Sequence, residues 1–186
     1  SSMKHLLVIL ASALWLTLQL VPALGQEKAS NKYVGVKMCA PCHKAEKAGN
    51  QFGIWQKTKH AEAYKALLTP AANDIAKKKG LKKPAAESPE CLECHAVTAA
   101  APMLDKTFDV KDGVQCEMCH GAGSAYKSMA IMKDTAKAIK AGLTMYGNNA
   151  AIAKKCETCH NDKSPTFKEF KFDASWAKVK HPRPKK

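Results

Sequence analysis

The chain has 186 residues, with 30 Lys+Arg against 16 Asp+Glu, a formal charge of +14, and eight Cys. That length holds one domain or two small ones, and the charge excludes a neutral or acidic surface. The hydrophobic share of 46% is inflated by Ala and by an apolar N-terminus.

The N-terminal segment comes first. Lys4 and His5 precede an uncharged run from Leu6 to Val21, followed by Pro22 and then Ala23-Leu24-Gly25. A basic start, an apolar centre and small residues at the cut predict a secretory signal peptide over residues 1–25. A spanning helix needs about 20 apolar residues, and this run is shorter and contains Ser12, Thr17 and Gln19. The expected product is an exported domain over 26–186, with no membrane anchor after signal cleavage.

A polar lead-in covers 26–38, and a Cys pair follows at 39–42. Ile54, Ala61 and Leu68 repeat at seven with Tyr64 between them, which predicts an amphipathic helix carrying His60. Pro70 is expected to stop it. Residues 71–90, rich in Ala, Lys and Pro, read as a surface connection. Between the second and third Cys pairs, Phe108 to Val114 suggests a short hairpin turning at Asp112-Gly113. After the third pair, Gly121-Ala-Gly123 suits a backbone that approaches a flat ligand closely. Ser124 to Ala141 then predicts one helix, with Tyr126, Met129, Met132, Ala136 and Ile139 recurring every three or four residues. Gly142 can end that helix. A short Ala/Lys helix precedes the fourth pair, and Phe167, Phe170, Phe172 and Trp176 mark the C-terminal segment. The expected fold is mainly α, with long irregular connections.

The Cys pairs carry the chemistry. They are Cys39-Ala-Pro-Cys42-His43, Cys91-Leu-Glu-Cys94-His95, Cys116-Glu-Met-Cys119-His120 and Cys156-Glu-Thr-Cys159-His160. C-x-x-C-H is the attachment signature of c-type haem. Residues i and i+3 share one face of a helical turn, so both thiols can bond the two vinyl groups along one side of a porphyrin. The next residue then offers its imidazole to the iron. Zinc sites use C-x-x-C pairs but do not require His after every pair. A thioredoxin-like pair needs a βαβ context, which is absent. Four haem c groups follow, with roughly 40 residues for each, too few for four separate pockets. The fold class is therefore a small multihaem cytochrome c fold around a stacked haem core.

Four irons have eight axial positions. Beyond the four motif histidines, the exported part holds only His60 and His181. At most two irons can then be bis-His. Met129 and Met132 are the further candidates, although a Met stripe on a helix also serves simply to fill a core.

Beyond C-x-x-C-H, three blocks are distinctive. They are Lys37-Met38-Cys39-Ala-Pro-Cys42-His43-Lys44 with Trp55 and His60-Ala61 after it, then Gly113-Val-Gln-Cys116-Glu-Met-Cys119-His120-Gly-Ala-Gly123, then Ser164-Pro-Thr-Phe167 with His181-Pro182. Together they resemble the cytochrome c-554 family of periplasmic tetrahaem cytochromes. The resemblance implies a mostly helical electron carrier. It implies that His60 serves the fourth haem and His181 the third, and that the haem at His95 is open or weakly ligated. The family's distal His for the first haem has no counterpart here, where Met129 and Met132 stand nearby.

Arg183 is the only Arg. Specific nucleic-acid recognition leans on Arg, and export also argues against a nucleic-acid partner. A Lys-rich surface favours fast, salt-sensitive docking to acidic redox proteins. The expected function is electron transfer in the periplasm or at the cell surface, not enzymatic catalysis. Two alternatives remain: reduction of a nitrogen oxide at an open iron, and a haem-stacked extracellular filament. A homo-oligomer is compatible with either.

Overall fold

The structure is a computed structural model that describes residues 30–183. The signal segment 1–25 lies outside the described residues. The helices, in order, are α1 Ala40–His43, α2 Gln51–Gln56, α3 Ala63–Ala66, α4 Pro70–Lys78, α5 Pro89–His95, α6 Cys116–His120, α7 Met129–Met132, α8 Thr135–Lys140, α9 Asn149–Glu157 and α10 Phe172–Val179. Short 3-10 turns intervene, among them Val36–Met38 and Val110–Asp112. Among the described residues the only extended pairing is a single bridge between Tyr33 and Leu104. The mainly helical reading with long connections holds.

Several expected boundaries differ for identifiable reasons. The helix foreseen over 54–68 is two helices, α2 and α3, with His60 in the turn between them. Val114 N–H reaches the His60 carbonyl at 3.0 Å, a bond to another segment that competes with a continuous helical ladder. Pro70 starts a helix rather than ending one. Thr69 caps α4 by accepting the Ala72 N–H at 3.2 Å, and Pro70 at N1 lacks only an N–H that would be orphaned anyway. Part of the expected surface connection is therefore α4. The helix foreseen over 124–141 breaks into α7 and α8, because Asp134 caps a new start by accepting the Lys137 N–H at 3.1 Å. The expected hairpin at 108–114 is the 3-10 turn Val110–Asp112, with Asp109 accepting the Lys111 N–H.

The apolar core is small. Among the described residues the buried hydrophobic ones are Val34, Val36, Leu67, Ala76, Ala85, Ala96, Val97, Tyr126 and Ala138, and four of these nine are Ala. Leu67, Ala76 and Ala85 form one cluster against Leu81, Cys91 and Leu92, which seats α5 on α4. Elsewhere polar side chains organise the interior. Gln115 and Glu117 are 1% and 2% exposed. Glu117 accepts the N–H groups of Val34, Gly35 and Gly123, and Gln115 Oε1 accepts the Val36 N–H at 2.7 Å. These two side chains take the place of a neighbouring strand for residues 34–36, which lead directly into α1.

Candidate haem-binding site

Each C-x-x-C-H motif lies on or at the end of a short helix: α1, α5, α6 and the C-terminus of α9. On a helical turn the i, i+3 spacing places two such thiols on one side. All eight thiols are free of disulfides. Among the described residues no three His, Cys, Asp or Glu converge to hold a bare metal ion, so the zinc alternative gains nothing from the geometry.

The motifs are brought together in pairs. The Cys39 thiol is held beside the Cys116 thiol; their hydrogen bond and burial push Cys39 far up. Cys94 is pushed up to about 11 by burial and by the adjacent Cys159. The first and third motifs are thus neighbours, as are the second and fourth. Tyr146 fastens the third motif by donating to the Cys119 carbonyl at 2.9 Å.

The motif histidines are oriented by their Nδ1 atoms. His95 Nδ1 faces the Ala63 carbonyl at 2.8 Å and His120 Nδ1 faces the Thr144 carbonyl at 2.9 Å. A carbonyl only accepts, so Nδ1 carries the proton and Nε2 keeps its lone pair. His43 is arranged similarly. Gln51 Nε2 donates to the carbonyls of Ala48 and Pro182, which turns Gln51 Oε1 toward His43 Nδ1 at 3.2 Å. His160 instead stacks on Phe170, with ring centres 4.8 Å apart.

The two remaining histidines face motif histidines. His60 lies opposite His160 with ring centres 6.1 Å apart, and His181 lies opposite His120 at 6.0 Å. Two imidazoles bonded to opposite sides of one metal ion at about 2 Å each bring their ring centres to about 6 Å. Burial, helped by His160, lowers the His60 pKa, and burial lowers those of His120 and His160. A neutral imidazole is the form that ligates metal. The described residues contain six histidines, so this pairing leaves His43 and His95 without an imidazole opposite. Met129, on α7, is 58% exposed, and Met132 is half-buried on the same helix.

The residues present fit haem c. Thiol pairs sit on single turns, three of the four motif histidines have Nδ1 engaged, and two imidazole pairs stand at metal-spanning distance. The shortage of apolar core is the remaining sign, since large flat groups would supply the missing interior.

Sequence reasoning did not single out Gln51 or the Thr144 carbonyl, which orient histidines, and it named Phe170 among the C-terminal aromatics without its histidine partner. Their partners are distant or carry no residue signature. It placed Glu117 only within a motif block. The glycines of that block also lie close against other protein groups. A Cβ at Gly123 would meet Glu117 Oε1 at 3.0 Å, and one at Gly121 would meet the Gly142 carbonyl at 3.1 Å. They make room for protein contacts.

Comparison with known proteins bears on the same segment. The family model described as cytochrome c554 and c-prime matches residues 38–121. Cytochrome c-554 of Nitrosomonas europaea is 29% identical over 156 residues, which cover 73% of this chain and 61% of that protein. The chain thus spans about three fifths of the length of the curated relative it matches. A solved structure of cytochrome c554 from Nitrosomonas europaea in its reduced state aligns over 80% of this chain and 79% of its own, at 24% identity and a TM-score of 0.49.

Proposed function

Residues 38–121 match the family model described as cytochrome c554 and c-prime, and from that likeness we propose that the protein is an electron carrier of this family holding four haem c groups, one at each motif. Haem c, when bound, supplies a one-electron ferric/ferrous couple. The protein's part is attachment, orientation and tuning. Cys39, Cys42, Cys91, Cys94, Cys116, Cys119, Cys156 and Cys159 are the attachment thiols, and His43, His95, His120 and His160 the proximal ligands. His60 and His181 complete the fourth and third sites, and Met129 or Met132 is the candidate for the first. Carbonyls at Ala63 and Thr144 fix two proximal rings and raise their basicity as ligands.

The observation that carries this reading is the pairing of His60 with His160 and His181 with His120 at the separation one iron would span. The basic surface supports docking to acidic redox proteins, and the signal-like N-terminus supports action in the periplasm or beyond. No described helix is long and apolar enough to cross a membrane. A second reading, reduction of a small nitrogen oxide, draws on the lack of an imidazole opposite His95. Intact mass and ferric EPR of natively expressed protein test both. Four haem masses with at least two low-spin bis-His signals support the carrier. A bare polypeptide mass overturns it, and nitric oxide binding to a high-spin centre favours the second reading.

A further inference from the structure

Glu117 carries a charge that the attachment chemistry does not need. It is the residue between Cys116 and Met118, and its side chain is 2% exposed. Its oxygens accept four contacts from three backbone N–H groups: Val34 at 2.9 and 3.1 Å, Gly35 at 2.8 Å and Gly123 at 2.7 Å. Among the described residues no Lys or Arg pairs with it. A carboxylate stabilised only by neutral dipoles keeps its full negative field in a region of low dielectric.

That field reaches two motifs. The Glu117 charge contributes to raising the Cys39 thiol, makes ionisation of Cys116 harder, and adds to the effect of burial on the Tyr126 phenol. The geometry agrees: Glu117 lies inside the third motif and holds the segment that enters the first. We propose that Glu117 is an electrostatic positioning residue that holds the haems of the first and third motifs at lower reduction potential than their ligands alone would set. An iron centre gains one positive charge on oxidation, so a fixed anion nearby stabilises the ferric form. A buried charge is screened little by salt, unlike the surface lysines. Electrons would then rest away from the Cys39/Cys116 pair and toward the other two sites.

This rests on the reading that each motif carries a haem, and the test separates the two. Haem content is measured first by intact mass; its absence would end the carrier reading itself. Holoprotein of the wild type, Glu117→Gln and Glu117→Asp is then titrated by EPR-monitored redox potentiometry. Glu117→Gln, which removes the charge and keeps the shape, should lower the ferric-to-ferrous ratio at two centres about tenfold at fixed ambient potential, or about 59 mV for a one-electron couple. Glu117→Asp, which keeps the charge, should leave both centres close to wild type. Equal shifts in the two variants, or none in Glu117→Gln, would overturn the proposal. A third measurement needs no variant. In wild-type holoprotein, moving from low to high salt should leave the gap between these two centres and the rest in place, because salt screens the surface lysines and spares the lowering effect of buried Glu117. A gap that closes in high salt would overturn the proposal even if Glu117→Gln failed to fold.

Discussion

His60 and His160 face each other with ring centres 6.1 Å apart, although 99 positions separate them in the chain. His60 is on no helix. Its turn is held by the Val114 N–H at its carbonyl, and Trp55 Nε1 donates to the Val114 carbonyl at 2.8 Å. The residues before the third motif thereby position a side chain that faces the fourth.

If the two imidazoles share an iron, His60→Ala should convert one low-spin ferric centre to high-spin and leave the other centres unchanged. His181→Ala should do the same at a different centre. EPR of the two variants decides this. A spectrum identical to wild type in either variant would remove that histidine from the ligand set.

Gly113 stands where a side chain cannot. Its φ is 73°, and a Cβ there would lie 2.6 Å from the His60 carbonyl oxygen. Gly113→Ala should destabilise the holoprotein by about 2–4 kcal/mol, combining left-handed strain with backbone displacement. Gly80 supplies the control, with φ 72° and nothing within 4 Å of its would-be Cβ. Gly80→Ala should cost only the strain, about 1 kcal/mol. Denaturant unfolding of both variants measures the difference. Gly113→Ala should also broaden the EPR signal of the centre that uses His60.

Tyr126 donates its hydroxyl to the Gly121 carbonyl at 2.6 Å, and burial pushes its phenol pKa above the usual 10.0. The folded protein therefore keeps this proton at a pH where the unfolded chain loses it. Stability from this group is complete below about pH 10 and falls as pH rises further, since the unfolded form then binds fewer protons. Tyr126→Phe should lower stability at neutral pH by about 1–2 kcal/mol. It should also flatten the decline above about pH 10 relative to wild type. Chemical denaturation at a series of pH values reads both effects.

With nine buried apolar residues among the described residues, four of them Ala, residues 30–183 alone have little to hold them together. Protein expressed without haem attachment should show largely unfolded far-UV circular dichroism and no cooperative thermal transition. Native-like helicity in such material would contradict a haem-built core.

Local spacing carried the reading of haem attachment without any fold. Two thiols at i and i+3 with His next to the second share one turn in any context, so Cys39 to His43 and its three counterparts were readable directly. Histidine arithmetic went further and left only His60 and His181 to face motif histidines. The family resemblance already set His60 against the fourth motif and His181 against the third; the structure brings the same rings face to face and alone shows how each is held. Helix periodicity misjudged 54–68 and 124–141, because the Val114 N–H and the Asp134 carboxylate offered the backbone other partners. Gln51 between His43 and Pro182, and Glu117 beneath residues 34–36, carry no periodic signal at all. Their roles come from satisfying buried backbone groups and imidazoles across distant segments, and that requirement exists only once the chain has closed on itself.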